Sequence, residues 1–145
     1  MPSGYSGTPL RKKLGLKADA RAVLVDAPDD FAKTLGPIAI DMGEPMAVDE
    51  GPLDFALLFV RERSAMEQSF PRFRERLQPD GMIWVAWPKK TSGLAGDLTD
   101  SVVREVGLAY GLVDTKVCAV DDIWSGLKFV FRLVDRPAAA KGKGR

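Results

Sequence analysis

Three unbroken apolar runs constrain this chain more than any other feature. Residues 22–25 within Arg21 to Asp26, then Phe55 to Val60 and Met82 to Trp87, contain no alternation of polar and apolar side chains. A strand with one wet face alternates, whereas an unalternated run of four to six residues suits a strand covered on both faces. Such strands belong to a parallel sheet sandwiched between helices.

The segments between the runs carry helix and turn signals. Thr8-Pro9 reads as an N-cap and first helical residue, Gly15 as the stop, and Leu10, Leu14 and Leu16 as the inner side of that helix. Ala27-Pro28-Asp29-Asp30 reads as a turn into a short helix ending near Gly36. Ile38 to Val48 reads as one irregular strand with a loop, closed by Gly51-Pro52. Ser64 with Glu67 three residues on predicts a capping box, and Met66, Phe70, Phe73 and Leu77 recur at helical spacing. Pro79-Asp80-Gly81 predicts a turn. Lys89 to Gly96 predicts a loop, with Asp97 capping a helix from Leu98 to Tyr110 that stops at Gly111. Thr115 to Val120 reads as a strand, Trp124-Ser125-Gly126 as a turn, and Leu127 to Leu133 as a last strand.

This order predicts an α/β, Rossmann-like fold: a mainly parallel open sheet, helices on both faces and a C-terminal antiparallel hairpin. At 145 residues one domain is expected, over 1–136, with 137–145 as a disordered basic tail. Leu127 to Leu133, placed near a sheet edge, offers a dimerisation strand, although nothing in the sequence decides the oligomeric state.

Absences narrow the chemistry. The chain has no histidine, which excludes histidine triads, histidine proton shuttles and histidine metal sites. Cys118 stands alone, so no internal disulfide or thiolate cluster forms, and it reads as an inert buried thiol. The longest apolar run is too short to span a bilayer, and Met1-Pro2-Ser3-Gly4 lacks the pattern of a secretory leader, so a cytoplasmic protein with no membrane partner is expected. The net charge of +1 and a lack of interleaved aromatic and basic residues argue against nucleic acid, despite basic residues near the N-terminus and in the tail.

Two resemblances follow from particular residues. Leu14-Gly15-Leu16-Lys17 leading into Val23-Leu24-Val25-Asp26, together with the pattern of Asp54 to Leu133, resembles the class I S-adenosylmethionine (SAM)-dependent methyltransferases, in a version shortened in its middle. Gly4-Tyr5-Ser6-Gly7-Thr8-Pro9-Leu10, Trp87-Pro88-Lys89-Lys90-Thr91-Ser92-Gly93 and Trp124-Ser125-Gly126-Leu127-Lys128-Phe129-Val130 resemble a family of small bacterial proteins built on a domain of unknown function. That resemblance implies a bacterial origin and the same fold, and no activity.

The methyltransferase families carry a glycine-rich turn after the first strand, where this chain has Asp26-Ala27-Pro28-Asp29-Asp30. Pro28 removes an N–H donor, and Asp29 and Asp30 suit a helix start while repelling a phosphate. The turn therefore disfavours a conventional cofactor, SAM included, although an acidic residue there can still bind a hydroxyl or an amino group. Open α/β sheets bind ligands beyond the carboxyl ends of their strands. Along that rim Lys89, Lys90, Thr91, Ser92 and Gly93 are candidates for a small anion; the bland alternative is a solvated loop. Tyr5, Ser6, Asp26 and Glu62 are secondary candidates, Tyr5 and Ser6 by folding back over the rim. Trp84 and Trp87 read as core residues, with stacking on a ligand as the alternative. The reading is a non-catalytic methyltransferase-like module that binds a small anionic ligand or a protein partner; the alternative is a small enzyme, including a divergent SAM-dependent methyltransferase, at the same rim.

Overall fold

Backbone hydrogen bonds join the three apolar runs edge to edge. The computed structural model describes residues 13–16, 21–28, 52–93, 96–121 and 123–132. Within them lie β1 (Ala22–Val25), β2 (Leu53–Phe59), α1 (Arg63–Arg74), β3 (Leu77–Pro88), α2 (Asp100–Ala109), β4 (Leu112–Ala119) and β5 (Trp124–Phe131). The sheet order is β1-β2-β3-β5-β4. β1, β2 and β3 are mutually parallel, with Leu24 beside Leu57 and Leu57 beside Trp84. β5 enters antiparallel between β3 and β4, with Val85 beside Leu127 and Leu127 beside Val117.

Alternation of the pleat divides the apolar runs between two cores. Ala56, Leu58, Ile83, Val85, Leu127 and Phe129 face Met66, Phe70 and Phe73 of α1 and Val103 and Val106 of α2. Phe55, Leu57, Trp84 and Ala86 face the opposite way, against Leu14 and Leu16. Lys13 and Leu14 are helical, and Gly15 ends that helix with φ 79°, as its position predicts. The Trp84 indole N–H donates to the Leu14 carbonyl at 2.8 Å, which satisfies the one polar atom of a fully buried side chain. Trp84 and Trp87 both sit in the core.

Several local expectations are corrected. Leu53 lies beside Leu77 and Phe55 beside Met82, so Pro79-Asp80-Gly81 is a bulge inside β3 rather than a turn before it. Leu77 opens β3 instead of extending the helical face. Trp124-Ser125-Gly126 lies within β5, paired with Pro88, Trp87 and Ala86. The turn sits earlier, where the Asp121 carboxylate accepts the N–H groups of Ile123 and Trp124, each at 2.8 Å. β5 is interior and β4 is the edge strand, so residues 127–131 cannot pair with a second copy. The helix near Gly36, the segment Ile38 to Val48, Tyr5, Ser6, Leu10, Asp29, Asp30 and the tail 137–145 lie outside the described residues.

The helix caps also differ from expectation. The Ser64–Glu67 capping box does not form: Glu62 occupies the N-cap of α1 without a side-chain bond. The first N–H of the helix, at Arg63, donates instead to the Asp97 carboxylate at 2.8 Å. Asp97 is thereby taken from α2, whose N-cap is Thr99, accepting from the Val102 N–H at 3.2 Å. Glu67 is drawn into an i,i+4 pair with Arg63 at 2.9 Å. A local spacing rule has lost to a tertiary contact.

Two measurements check this packing. Gly107 lies on α2 where a Cβ would meet the Phe129 ring. Alanine would gain up to about 1 kcal/mol in helix propensity and lose about 1–3 kcal/mol by overpacking. Gly107→Ala is therefore expected to lower stability in urea unfolding; an unchanged or raised midpoint contradicts the packing. Asp97→Ala is expected to cost about 0.5–1 kcal/mol, while Ser64→Ala changes stability by less than about 0.5 kcal/mol. Equal costs for the two would restore the capping box.

Candidate functional site

The parallel strands all end on one rim, and the turns beyond them enclose a cleft of about 770 Å³. Asp26 and Pro28 follow β1, Phe59 to Glu62 end β2, Ala65 lies on the first turn of α1, and Gly96 and Trp124 complete the lining. Phe59 and Trp124 meet edge to face, with centroids 5.0 Å apart and planes at 84°. The cleft thus has an apolar floor and, around it, three exposed charged residues, the carboxylates of Asp26 and Glu62 and the guanidinium of Arg61.

Asp26 has φ 58°, and it is the one non-glycine residue with positive φ among the described residues. Aspartate tolerates this left-handed conformation better than most residues because its short side chain can bond locally. The turn after β1, which carries no glycine in Asp26-Ala27-Pro28, thus has at Asp26 a backbone conformation that glycine would adopt without strain.

One wall of the cleft is held by the start of α1. A Cβ on Gly96 would meet the Arg61 carbonyl, so the strand β3–α2 connection can lie against the β2–α1 turn only with glycine there. Asp97, next in sequence, accepts the Arg63 N–H. The Arg63 guanidinium reaches Glu67 at 2.9 Å and Glu105 of α2 at 3.3 Å, and hydrogen bonds to those carboxylates raise its pKa above the usual value. The positive end of α1 is thus already met by a carboxylate of the chain itself, which leaves this terminus poorly suited to an anionic ligand.

Lys89 to Gly93 lie farther along the same rim. Lys90–Ser92 form a 3-10 turn closed by Gly93 at φ 80°. A smaller groove of about 290 Å³ is lined by Trp87, Lys89, Lys90, Leu98, Thr99, Asp100, Val117 and Ser125. The Ser92 hydroxyl donates to the Lys89 carbonyl at 2.7 Å, and Asp100 brings a negative charge into the groove. The structure therefore groups Asp26 with Glu62, and Lys89 with Lys90, in two separate recesses. Among the described residues no group of three or more acidic or cysteine side chains is placed to hold a metal ion.

Sequence reasoning missed Trp124, Gly96, Phe59 and Ala65 as lining residues. Trp124 reaches the cleft only because β5 pairs with β3, which no local signal announces. Cys118 is half-buried on the second face, and burial raises its thiol pKa against the opposing pull of Lys13 and Lys116.

No family model matches the chain. No curated protein matches it either. Solved structures do match. LepI in complex with SAM is similar with a TM-score of 0.54 at 12% identity, over 86% of this chain and 47% of LepI. Aeropyrum pernix fibrillarin bound to S-adenosyl-L-methionine gives 0.53 at 13% identity, over 88% and 71%. A TehB-like SAM-dependent methyltransferase from Corynebacterium glutamicum gives 0.53 at 12% identity, over 90% and 91%. The chain spans about half the length of several structures it matches, LepI among them. At these identities the likeness establishes the fold, a compact version of the class I SAM-dependent methyltransferase architecture.

Proposed function

We propose that the chain is a methyltransferase-like module that binds a SAM-type ligand in the cleft between the ends of β1 and β2, and that it binds rather than transfers. The observation that carries this reading is Asp26, a non-glycine residue in the left-handed conformation at the mouth of the cleft beyond β1 and β2. Uncommon backbone conformations persist where the surrounding structure imposes them, and they cluster at ligand sites.

The charge of the cleft selects the ligand. Asp26 and Glu62 outnumber Arg61 in the lining and disfavour a phosphate, and with Asp97 already on the α1 terminus that helix end offers it no compensation. SAM carries no phosphate. Its ammonium and sulfonium groups are cationic and its ribose donates hydroxyls, all of which carboxylates accept. Phe59, Trp124 and Ala65 offer apolar surface to the rest of the molecule. LepI and fibrillarin, similar in fold, were solved with SAM bound.

A second reading places a small anion in the groove beside Lys89 and Lys90, favoured by the two ammonium groups lining one recess. Lys89→Ala with Lys90→Ala is expected to abolish any thermal stabilisation by phosphate or sulfate. A wild type that no anion stabilises removes this reading.

Titration calorimetry tests the first reading. SAM is expected to bind, with S-adenosylhomocysteine weaker because it lacks the sulfonium charge. Glu62→Gln exchanges a charged acceptor for a neutral one and is expected to weaken SAM binding by about 10-fold, equivalent to about 1.4 kcal/mol, with no loss of melting temperature. Absence of binding at millimolar SAM, or equal affinity of wild type and variant, refutes it.

A further inference from the structure

The Glu62 carboxylate is unused at a position where helices ordinarily use one. Glu62 is the N-cap residue of α1, with an extended backbone at φ −136° and ψ 152°, and its side chain makes no cap bond. An N-cap side chain ordinarily accepts one of the first helix N–H groups, which have no partner within the helix. Here those groups are met in other ways. The Glu62 carbonyl accepts from Ala65 at 3.1 Å and from Met66 at 3.2 Å. The Asp97 carboxylate, 34 residues away in sequence, accepts from Arg63 at 2.8 Å.

The cation next in sequence is diverted as well. The Arg63 guanidinium bonds Glu67 and Glu105, and among the described residues Glu62 enters no ion pair. Two consecutive residues of the β3–α2 connection clamp the turn. A Cβ on Gly96 would meet the Arg61 carbonyl and lie 3.5 Å from the Glu62 Cγ, so glycine lets this connection lie directly against Glu62. Asp97 then reaches the first N–H of α1.

We infer that Asp97 is a positioning residue for ligand binding in the cleft, a role that rests on the SAM-type reading of that cleft. By capping α1 in place of Glu62, it fixes the β2–α1 turn and leaves the Glu62 carboxylate available to a cationic group of the ligand. Asp97 is not itself among the lining residues, so it acts through Glu62. The other charges at this turn are Asp26 and Arg61 in the lining and Asp97 on the helix terminus. Without Asp97 the helix start either frays or takes the Glu62 carboxylate as its own cap. In both cases the carboxylate must be ordered again when ligand binds, and that ordering lowers affinity.

Titration calorimetry with SAM on the full chain, paired with amide hydrogen exchange followed by NMR, tests this role. Asp97→Ala is expected to speed exchange of the Arg63 amide and to weaken SAM binding about 3- to 10-fold, as for the ordering of one freed side chain. Asp97→Asn, whose amide oxygen still accepts, is expected to restore both. In a Glu62→Gln background, Asp97→Ala is expected to weaken binding by less than about 2-fold, because nothing remains for it to position. Gly107→Ala, a destabilising change outside the cleft lining, is expected to leave affinity unchanged. Asp97 has no positioning role if its alanine variant binds SAM like the wild type or exchanges the Arg63 amide no faster. The same holds if its effect adds in full to that of Glu62→Gln, or if Gly107→Ala weakens binding equally. Asp97→Asn as weak as Asp97→Ala would mean that Asp97 acts by its charge, which also overturns the role. A wild type that binds no SAM removes the reading of the cleft and this role together, whereas binding that ignores Asp97 removes this role alone.

Discussion

Two-sided burial of the central strands is the constraint on which the structure depends. β2 and β3 are apolar at consecutive positions, and Leu57, Leu58, Trp84 and Val85 are wholly buried. Each face of the sheet must therefore be covered by something else. α1 and α2 cover one face, and the segment at Leu14 and Leu16 covers the other. The bond from the Trp84 indole to the Leu14 carbonyl fastens that second cover to a strand 70 residues away in sequence. Because the parallel strands all end on one rim, the same constraint gathers the loops that bear polar side chains at a single end.

The parts of this fold that were legible are those set by local physics. Unalternated runs gave the inner strands, helical spacing gave the buried face of α1 through Met66, Phe70 and Phe73, and Gly15 and Gly111 stop their helices with positive φ. The errors share a different cause. Asp97 and Ser64 each satisfied a capping rule, and which N–H groups were capped was decided by the approach of Gly96 to Arg61, a contact between distant turns. Trp124 read as a turn residue because Trp-Ser-Gly is turn-like by composition; its pairing with Pro88 in a strand is a long-range fact.

The site was legible as a rim and not as a cavity. Asp26 and Glu62 could be placed at strand ends by counting residues, but their convergence on one cleft needs the parallel pairing of β1 with β2. The glycine-poor turn was read from residue type alone, which does not reveal backbone conformation. Asp26 separates the two, since it takes the left-handed conformation without being a glycine.

α1 gives the molecule a direction. Its N-terminus borders the cleft and its C-terminus ends in arginines, and its 12 residues set these ends about 18 Å apart. The Asp97 carboxylate holds the first N–H of the helix, and Arg74 ties its last turn to the Tyr110 carbonyl, so the helix is anchored to other elements at both ends. A displacement at the cleft is therefore carried along a single rod to the far end of the sheet.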